Sequence, residues 1–142
     1  MRFLGLDIGA KTIGCAVTDP TGLISRPVRT LRRTGLRADL QDLERLAAEL
    51  GAEGIVVGFP LHVSGQAGEA VERVRKIARK LSGRLGVPIL GVDERYTSLE
   101  AAELDRQRSG KARRRGDDHA LAAALILERY LREGEQVVLE RW

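Results

Sequence analysis

Arg2-Phe3-Leu4-Gly5-Leu6 and Ile13-Gly14-Cys15-Ala16-Val17-Thr18 are two apolar runs rich in β-forming residues, and between them stands Asp7-Ile8-Gly9-Ala10-Lys11. That order reads as strand, tight turn, strand, hence a hairpin. Asp19-Pro20-Thr21-Gly22 is a second turn signal, and Leu23 to Leu31 supplies a third strand, with Pro27 marking an edge or irregular position. Three consecutive antiparallel strands are expected at the start of the chain.

Beyond them the period changes. Leu36, Leu40, Leu43, Ala47 and Leu50 recur at helical spacing among Asp, Glu and Arg, which predicts an amphipathic helix ending near Gly51. Gly54-Ile55-Val56-Val57-Gly58 is a short continuous apolar run, as in a parallel strand covered on both faces, and Pro60 closes it. A loop holding Ser64-Gly65-Gln66 leads to a second helix over about Ala67 to Leu85, and Val87 to Val92 is the next buried strand. Thr97 and Glu100 have the spacing of a capping box and open a third helix to about Leu104. A last helix is expected over Ala120 to Leu131, and Gln136 to Leu139 reads as a short edge strand or a disordered tail. Strands followed by alternating helices and strands give a mixed α/β sheet, three antiparallel strands then two parallel ones, with helices on both faces.

At 142 residues the chain fits one domain spanning 1–142. Its 43% hydrophobic and 31% charged residues exclude disorder along the whole length. The one cysteine, Cys15, has no partner for an intramolecular disulfide. Because Asp7 interrupts the first apolar run and no window approaches a membrane span, a soluble, cytoplasmic protein without a membrane partner is expected. The net charge is +4. Six of the ten residues from 106 to 115 are basic: Arg106, Arg108, Lys111, Arg113, Arg114 and Arg115. Such a segment is either a solvated loop or a contact for a polyanion.

Carboxylates stand where strands and helices end. Asp7 closes the first strand, Glu94 the last buried strand, and Asp117 or Asp118 opens the final helix. Neighbouring strand ends lie close in space, so these groups can converge although 87 positions separate Asp7 from Glu94. Convergent oxygens suit Mg2+ or Mn2+, which can activate water and stabilise a leaving oxygen in phosphodiester cleavage. Asp118 reads equally as a helix N-cap, and Asp93 and Asp105 as turn residues. With two histidines and no glycine-serine-glycine elbow, a serine or cysteine hydrolase has little support. The Asp7-Ile8-Gly9 turn also occurs in sugar-kinase and actin-like ATPases, where it contacts phosphate, but those proteins are far longer and two-lobed.

Four segments in order carry a more specific signal: residues 5–14, Val56-Val57-Gly58-Phe59-Pro60-Leu61, Asp93-Glu94-Arg95-Tyr96-Thr97-Ser98, and Ala122 to Leu131. Over nearly its whole length the chain resembles the YqgF (RuvX) family, assigned to processing of pre-16S ribosomal RNA and related to Holliday-junction resolvases. The resemblance implies a ribonuclease H-like sheet, a divalent metal, and work on structured RNA or branched DNA. Asp7 corresponds to the family's first carboxylate, Glu94 to its second, and Gly58-Phe59-Pro60-Leu61 to its Gly-Leu-Pro-Leu loop. In the family an aspartate stands nine residues before the Glu or Gln after the Ile-Leu pair. Here that place, counted from Glu128, is His119, with Asp118 one position earlier.

The expected site is therefore Asp7 and Glu94 with Asp118 or His119 completing the shell around Mn2+ or Mg2+. Lys11 and the cations from Arg106 to Arg115 would hold the phosphate backbone. A monomer and a homodimer both fit the sequence. The alternative is a non-catalytic RNA-binding factor in ribosome assembly that keeps the fold without the chemistry, and the departure at His119 is its best support.

Overall fold

The structure is a computed structural model that describes residues 1–60, 68–94 and 115–142, with side chains of the last stretch from His119 onward. Its strands are β1 (Phe3–Ile8), β2 (Thr12–Thr18), β3 (Ser25–Arg32), β4 (Gly54–Phe59), β5 (Ile89–Asp93) and β6 (Val138–Arg141), and its helices are α1 (Leu36–Leu50), α2 (Glu69–Leu85) and α3 (Arg115–Glu133). The sheet runs β3-β2-β1-β4-β5-β6. β1 and β2, and β2 and β3, pair antiparallel, whereas β4 lies parallel to both β1 and β5. The expected mixed sheet is the one observed.

Alternation along the strands assigns the two faces. Leu4, Leu6 and Ile8 of β1 join Ile55, Val57 and Phe59 of β4 in one core with Leu43 and Leu46 of α1 and Val74 and Ile77 of α2. On the other face Ala16, Val56 and Val92 pack against Ala123, Ile126 and Leu127 of α3. Glycine lets α3 come close: a Cβ on Gly5 would lie 2.9 Å from the Ala123 carbonyl oxygen, and one on Gly14 only 2.0 Å from that of His119. Both positions are therefore closed to any side chain.

Several boundaries differ from the sequence reading, each for a local reason. β1 continues through Asp7 to Ile8, because Asp7 pairs with Gly14 in the ladder and the turn closes only at Gly9, whose N–H donates to Thr12 O at 2.8 Å. β5 starts at Ile89 rather than Val87, since Pro88 has no N–H to offer, although its carbonyl still accepts from Ile55 N at 2.9 Å. α3 begins at Arg115, five residues before Ala120, so Asp118 lies within the first turn and is not its N-cap. Arginine is a good helix former, and acidic residues are favoured in a first turn, which allows this earlier start.

The tail is ordered. After a 3-10 turn at Gly134–Val137, β6 pairs antiparallel with β5, and Trp142 meets Phe59 edge to face with ring centroids 5.6 Å apart. No helix among the described residues is long and apolar enough to cross a membrane. The loop at Ser64-Gly65-Gln66, the helix expected over Thr97 to Leu104, and the cations Arg106, Arg108, Lys111, Arg113 and Arg114 lie outside the described residues.

Candidate active site

The three parallel strands end side by side in the order β1, β4, β5. On β1, Leu4, Leu6 and Ile8 belong to the α1 and α2 core, so Asp7 takes the opposite face, under α3. On β5, Val92 already faces α3, and Glu94 follows two residues later on the same side. Between them Gly58 of β4 leaves room: a Cβ there would come within 2.6 Å of Glu94 Oε2. The two carboxylates thus flank a strand position that carries no side chain.

His119 enters from above. Its backbone rests on Gly14, the partner of Asp7 in the β1–β2 ladder, and this contact brings its Nδ1 to 3.5 Å from Asp7 Oδ2. Asp7, Glu94 and the histidine at the head of α3 therefore share one corner of the sheet. Asp118 has no described side chain, and of Arg115 only the backbone is described. Lys11 is exposed in the β1–β2 turn, beyond Asp7.

The electrostatics of this corner are unfavourable to two bare negative charges. Burial pushes the Glu94 carboxyl up from the usual 4.5 to about 9, and the nearby negative charges of Asp7 and Asp93 push in the same direction. Burial also raises Asp7, while the charge and hydrogen bond of His119 oppose the rise. Two carboxylates in this state would regain their charged forms beside a cation. Among the described residues no group of three or more His, Cys, Asp or Glu side chains could hold a metal ion. The oxygen pair nevertheless has the donor chemistry of a hard divalent ion that keeps several of its waters.

Arginines outside the corner hold the backbone beneath it. Arg129 of α3 donates from Nη1 to the Asp93 carbonyl oxygen, while Glu94 N donates to Phe59 O at 3.2 Å. At the other strand end, Arg33 donates from Nη1 to Gly9 O at 3.1 Å and from Nε to Asp39 at 3.0 Å. Asp39, 3% exposed, also accepts from Thr34 N, so its buried charge is satisfied. Sequence reasoning found neither Arg129 nor Arg33, since each meets a carbonyl oxygen that any residue could supply.

Comparison with known proteins gives a consistent result. Residues 1–133 match the family described as RuvX, Holliday junction resolvase. A protein of Moorella thermoacetica named "Putative pre-16S rRNA nuclease" is 41% identical over 133 residues, covering 92% of this chain and 94% of that protein. One of the same name from Syntrophus aciditrophicus is 41% identical over 132 residues, covering 92% and 88%. Among solved structures, T. thermophilus RuvC in complex with Holliday junction substrate aligns with a TM-score of 0.64 at 18% identity, covering 98% of this chain and 99% of that one. Fowlpox virus resolvase aligns with a TM-score of 0.61 at 10% identity, covering 93% and 97%. These structural likenesses bear out the ribonuclease H-like fold.

Proposed function

The chain belongs to the RuvX family, and from that premise we propose that it is a metal-dependent nuclease that hydrolyses phosphodiester bonds in the cytoplasm. Its substrate on this reading is the 5' end of pre-16S ribosomal RNA, with branched DNA such as a four-way junction as a second target of the same chemistry. The observation that carries the reading is the pair Asp7 and Glu94, brought to one corner from strands far apart in sequence and held there with their charged forms disfavoured.

Asp7 and Glu94 would hold Mn2+ or Mg2+, with His119 or Asp118 as the third group. When bound, a divalent ion supplies activation of water and stabilisation of charge on the leaving oxygen. Arg129 keeps the Asp93-Glu94 peptide in register with β4, and Gly58 leaves the space in which the Glu94 carboxylate sits. Arg33 anchors the turn that carries Lys11, an exposed cation at the mouth of the corner that would hold a phosphate. The basic residues from Arg106 to Arg115 would add affinity that is sensitive to salt and nearly blind to sequence.

Labelled pre-16S RNA and a four-way DNA junction, each incubated with Mn2+, Mg2+ or a chelator, test this. Cleavage that needs the metal and vanishes in Asp7→Asn is expected. Binding without cleavage under every condition would instead mark an assembly factor without catalysis.

A further inference from the structure

β5 lies between β4 and β6, and at its middle stands Gly91. With no side chain there, two rings meet over it: a Cβ on Gly91 would lie 2.6 Å from Phe59 Cε2 and 3.0 Å from Trp142 Cη2. Phe59, at the end of β4, is 1% exposed, and Trp142 follows directly on β6. Arg75 of α2 closes the group, its guanidinium carbon 5.7 Å from the Phe59 ring centroid and within reach of a cation–π contact. The same arginine donates from Nε to Glu140 Oε2 at 2.7 Å and meets Glu72 on its own helix.

The register of β6 produces this arrangement. Val138 pairs with Val92 and Glu140 with Gly91, so Leu139 is the extra residue of a bulge. Val138 therefore shares the α3 face with Val92, while Glu140 and Trp142 take the opposite face, that of Phe59, α1 and α2. Trp142 is held opposite Ile89 by two backbone hydrogen bonds, Ile89 N to Trp142 O at 3.1 Å and Trp142 N to Ile89 O at 2.9 Å. Backbone pairing of this kind is enough to cover the edge of β5. It does not require an indole that reaches across Gly91 to a ring on β4.

What the rings secure is the end of β4. Phe59 O accepts from Glu94 N at 3.2 Å, Phe59 lies opposite Asp93 in the β4–β5 ladder, and its neighbour Gly58 borders the Glu94 carboxylate on the other face. A shift of Phe59 is thus passed through the main chain to the site. Trp142 and Glu140 lie beyond residues 1–133, the part of the chain that matches the family. Resting on the nuclease reading for the role of Glu94, we infer that Trp142 and Arg75 are positioning residues: by clamping the Phe59 ring they fix the end of β4, and with it the Glu94 carboxylate on the opposite face of the sheet. Arg129 holds the Asp93 carbonyl oxygen from the α3 side, so the strand ends around Glu94 are secured from both faces.

The test uses the full chain. Hydrogen exchange of the Glu94 amide, followed by NMR without metal, reads its bond to Phe59 directly. Trp142→Ala should speed that exchange by about tenfold or more through local opening, and leave the Gly9 amide, bonded to Thr12 O across the site, as in wild type. With Mn2+ and labelled pre-16S RNA, the same variant should lower kcat by about tenfold at nearly unchanged KM, because a misplaced group costs rate more than binding. It should also raise the Mn2+ concentration needed for half-maximal rate. Trp142→Phe, which keeps a ring against Phe59, should recover most of each effect, and Arg75→Gln should shift all three readouts in the direction of Trp142→Ala. Leu139→Ala, at an exposed position of the same strand, should change none. If Trp142→Ala does not fold, Trp142→Leu keeps apolar bulk without a ring and gives the same comparison with Trp142→Phe. Unchanged exchange at Glu94 would overturn the clamp whatever the cleavage assay shows. Faster exchange with wild-type kcat and Mn2+ requirement would also overturn it and leave Trp142 as a cover for the edge of β5. RNA left uncleaved by the wild type, with the exchange difference intact, would strike the nuclease reading and leave the clamp standing.

Discussion

Arg129 Nη1 lies 2.8 Å from the carbonyl oxygen of Asp93, so the last helix grips the peptide bond that carries Glu94. The same guanidinium meets Glu133 through Nε at 3.0 Å, which fixes its plane. Arg129→Gln should lower kcat by tenfold or more with little change in KM, and should raise the metal concentration needed for half-maximal rate. Arg129→Lys, which keeps one donor, should recover part of both. A fall confined to thermal stability, with kcat unchanged in the folded variant, would count against a positioning role.

The burial of Glu94, reinforced by the negative charges of Asp7 and Asp93, makes the metal-free protein sensitive to pH. Because the folded state holds the Glu94 proton up to about pH 9 and the unfolded chain releases it near 4.5, stability is fullest below 4.5 and falls as pH rises through that window. Glu94→Gln should therefore abolish cleavage yet raise the melting temperature at pH 8 by several degrees, since about 1 kcal/mol moves the midpoint of a chain this size by roughly 2–4 °C. Mn2+ should raise the wild-type midpoint and leave that of the variant nearly unchanged. A melting scan at pH 5 and pH 8, with and without metal, decides it.

Gly58 and Gly14 should fail in different ways. A methyl group on Gly58 meets only side-chain ends, Glu94 Oε2 and Ile126 Cδ1, both at 2.6 Å. Gly58→Ala should fold and displace the Glu94 carboxylate, costing activity far more than stability. On Gly14 the same methyl meets the His119 backbone, which cannot turn aside, so Gly14→Ala should cost about 1–3 kcal/mol as the head of α3 lifts. Urea titration and cleavage assays on both variants separate the two outcomes.

His119 Nδ1 stands 3.5 Å from Asp7 Oδ2, at the position where the family resemblance in the sequence implies an aspartate. Imidazole suits Mn2+ better than Mg2+, which strongly prefers oxygen, so the wild type should favour Mn2+ and His119→Asp should shift the preference toward Mg2+. Rates with each ion, in the wild type and in His119→Ala and Asp118→Ala, identify the third group. Loss of cleavage in Asp118→Ala with tolerance of His119→Ala would assign it to Asp118.

The fold was largely legible because two periods dominate this chain. Leu4, Leu6 and Ile8 alternate along β1, while Leu36, Leu40, Leu43, Ala47 and Leu50 follow the turn of α1, and each pattern is the imprint of a buried face. Asp7 and Glu94 could be singled out because a carboxylate at the end of an apolar strand needs a reason to be there. The start of α3 could not, since Arg115-Gly116-Asp117-Asp118 has no apolar period and reads as a loop. Nor could the Asp7–His119 contact, which depends on a missing Cβ at Gly14, or the roles of Arg129 and Arg33, whose partners are main-chain oxygens.

The close seating of α3 on Gly5 and Gly14 also governs when the protein becomes itself. Asp7 leaves the ribosome 112 positions before His119, and until the helix α3 arrives Ala16, Val56 and Val92 lack its cover. A nascent chain stopped before Arg115 is expected to be inert toward nucleic acid cleavage and prone to capture by chaperones, which pulse-labelled translation intermediates can reveal. For a protein whose proposed substrate is a precursor of the ribosome, α3 then acts as the safety catch, released only once this helix has followed the strands out of the ribosome.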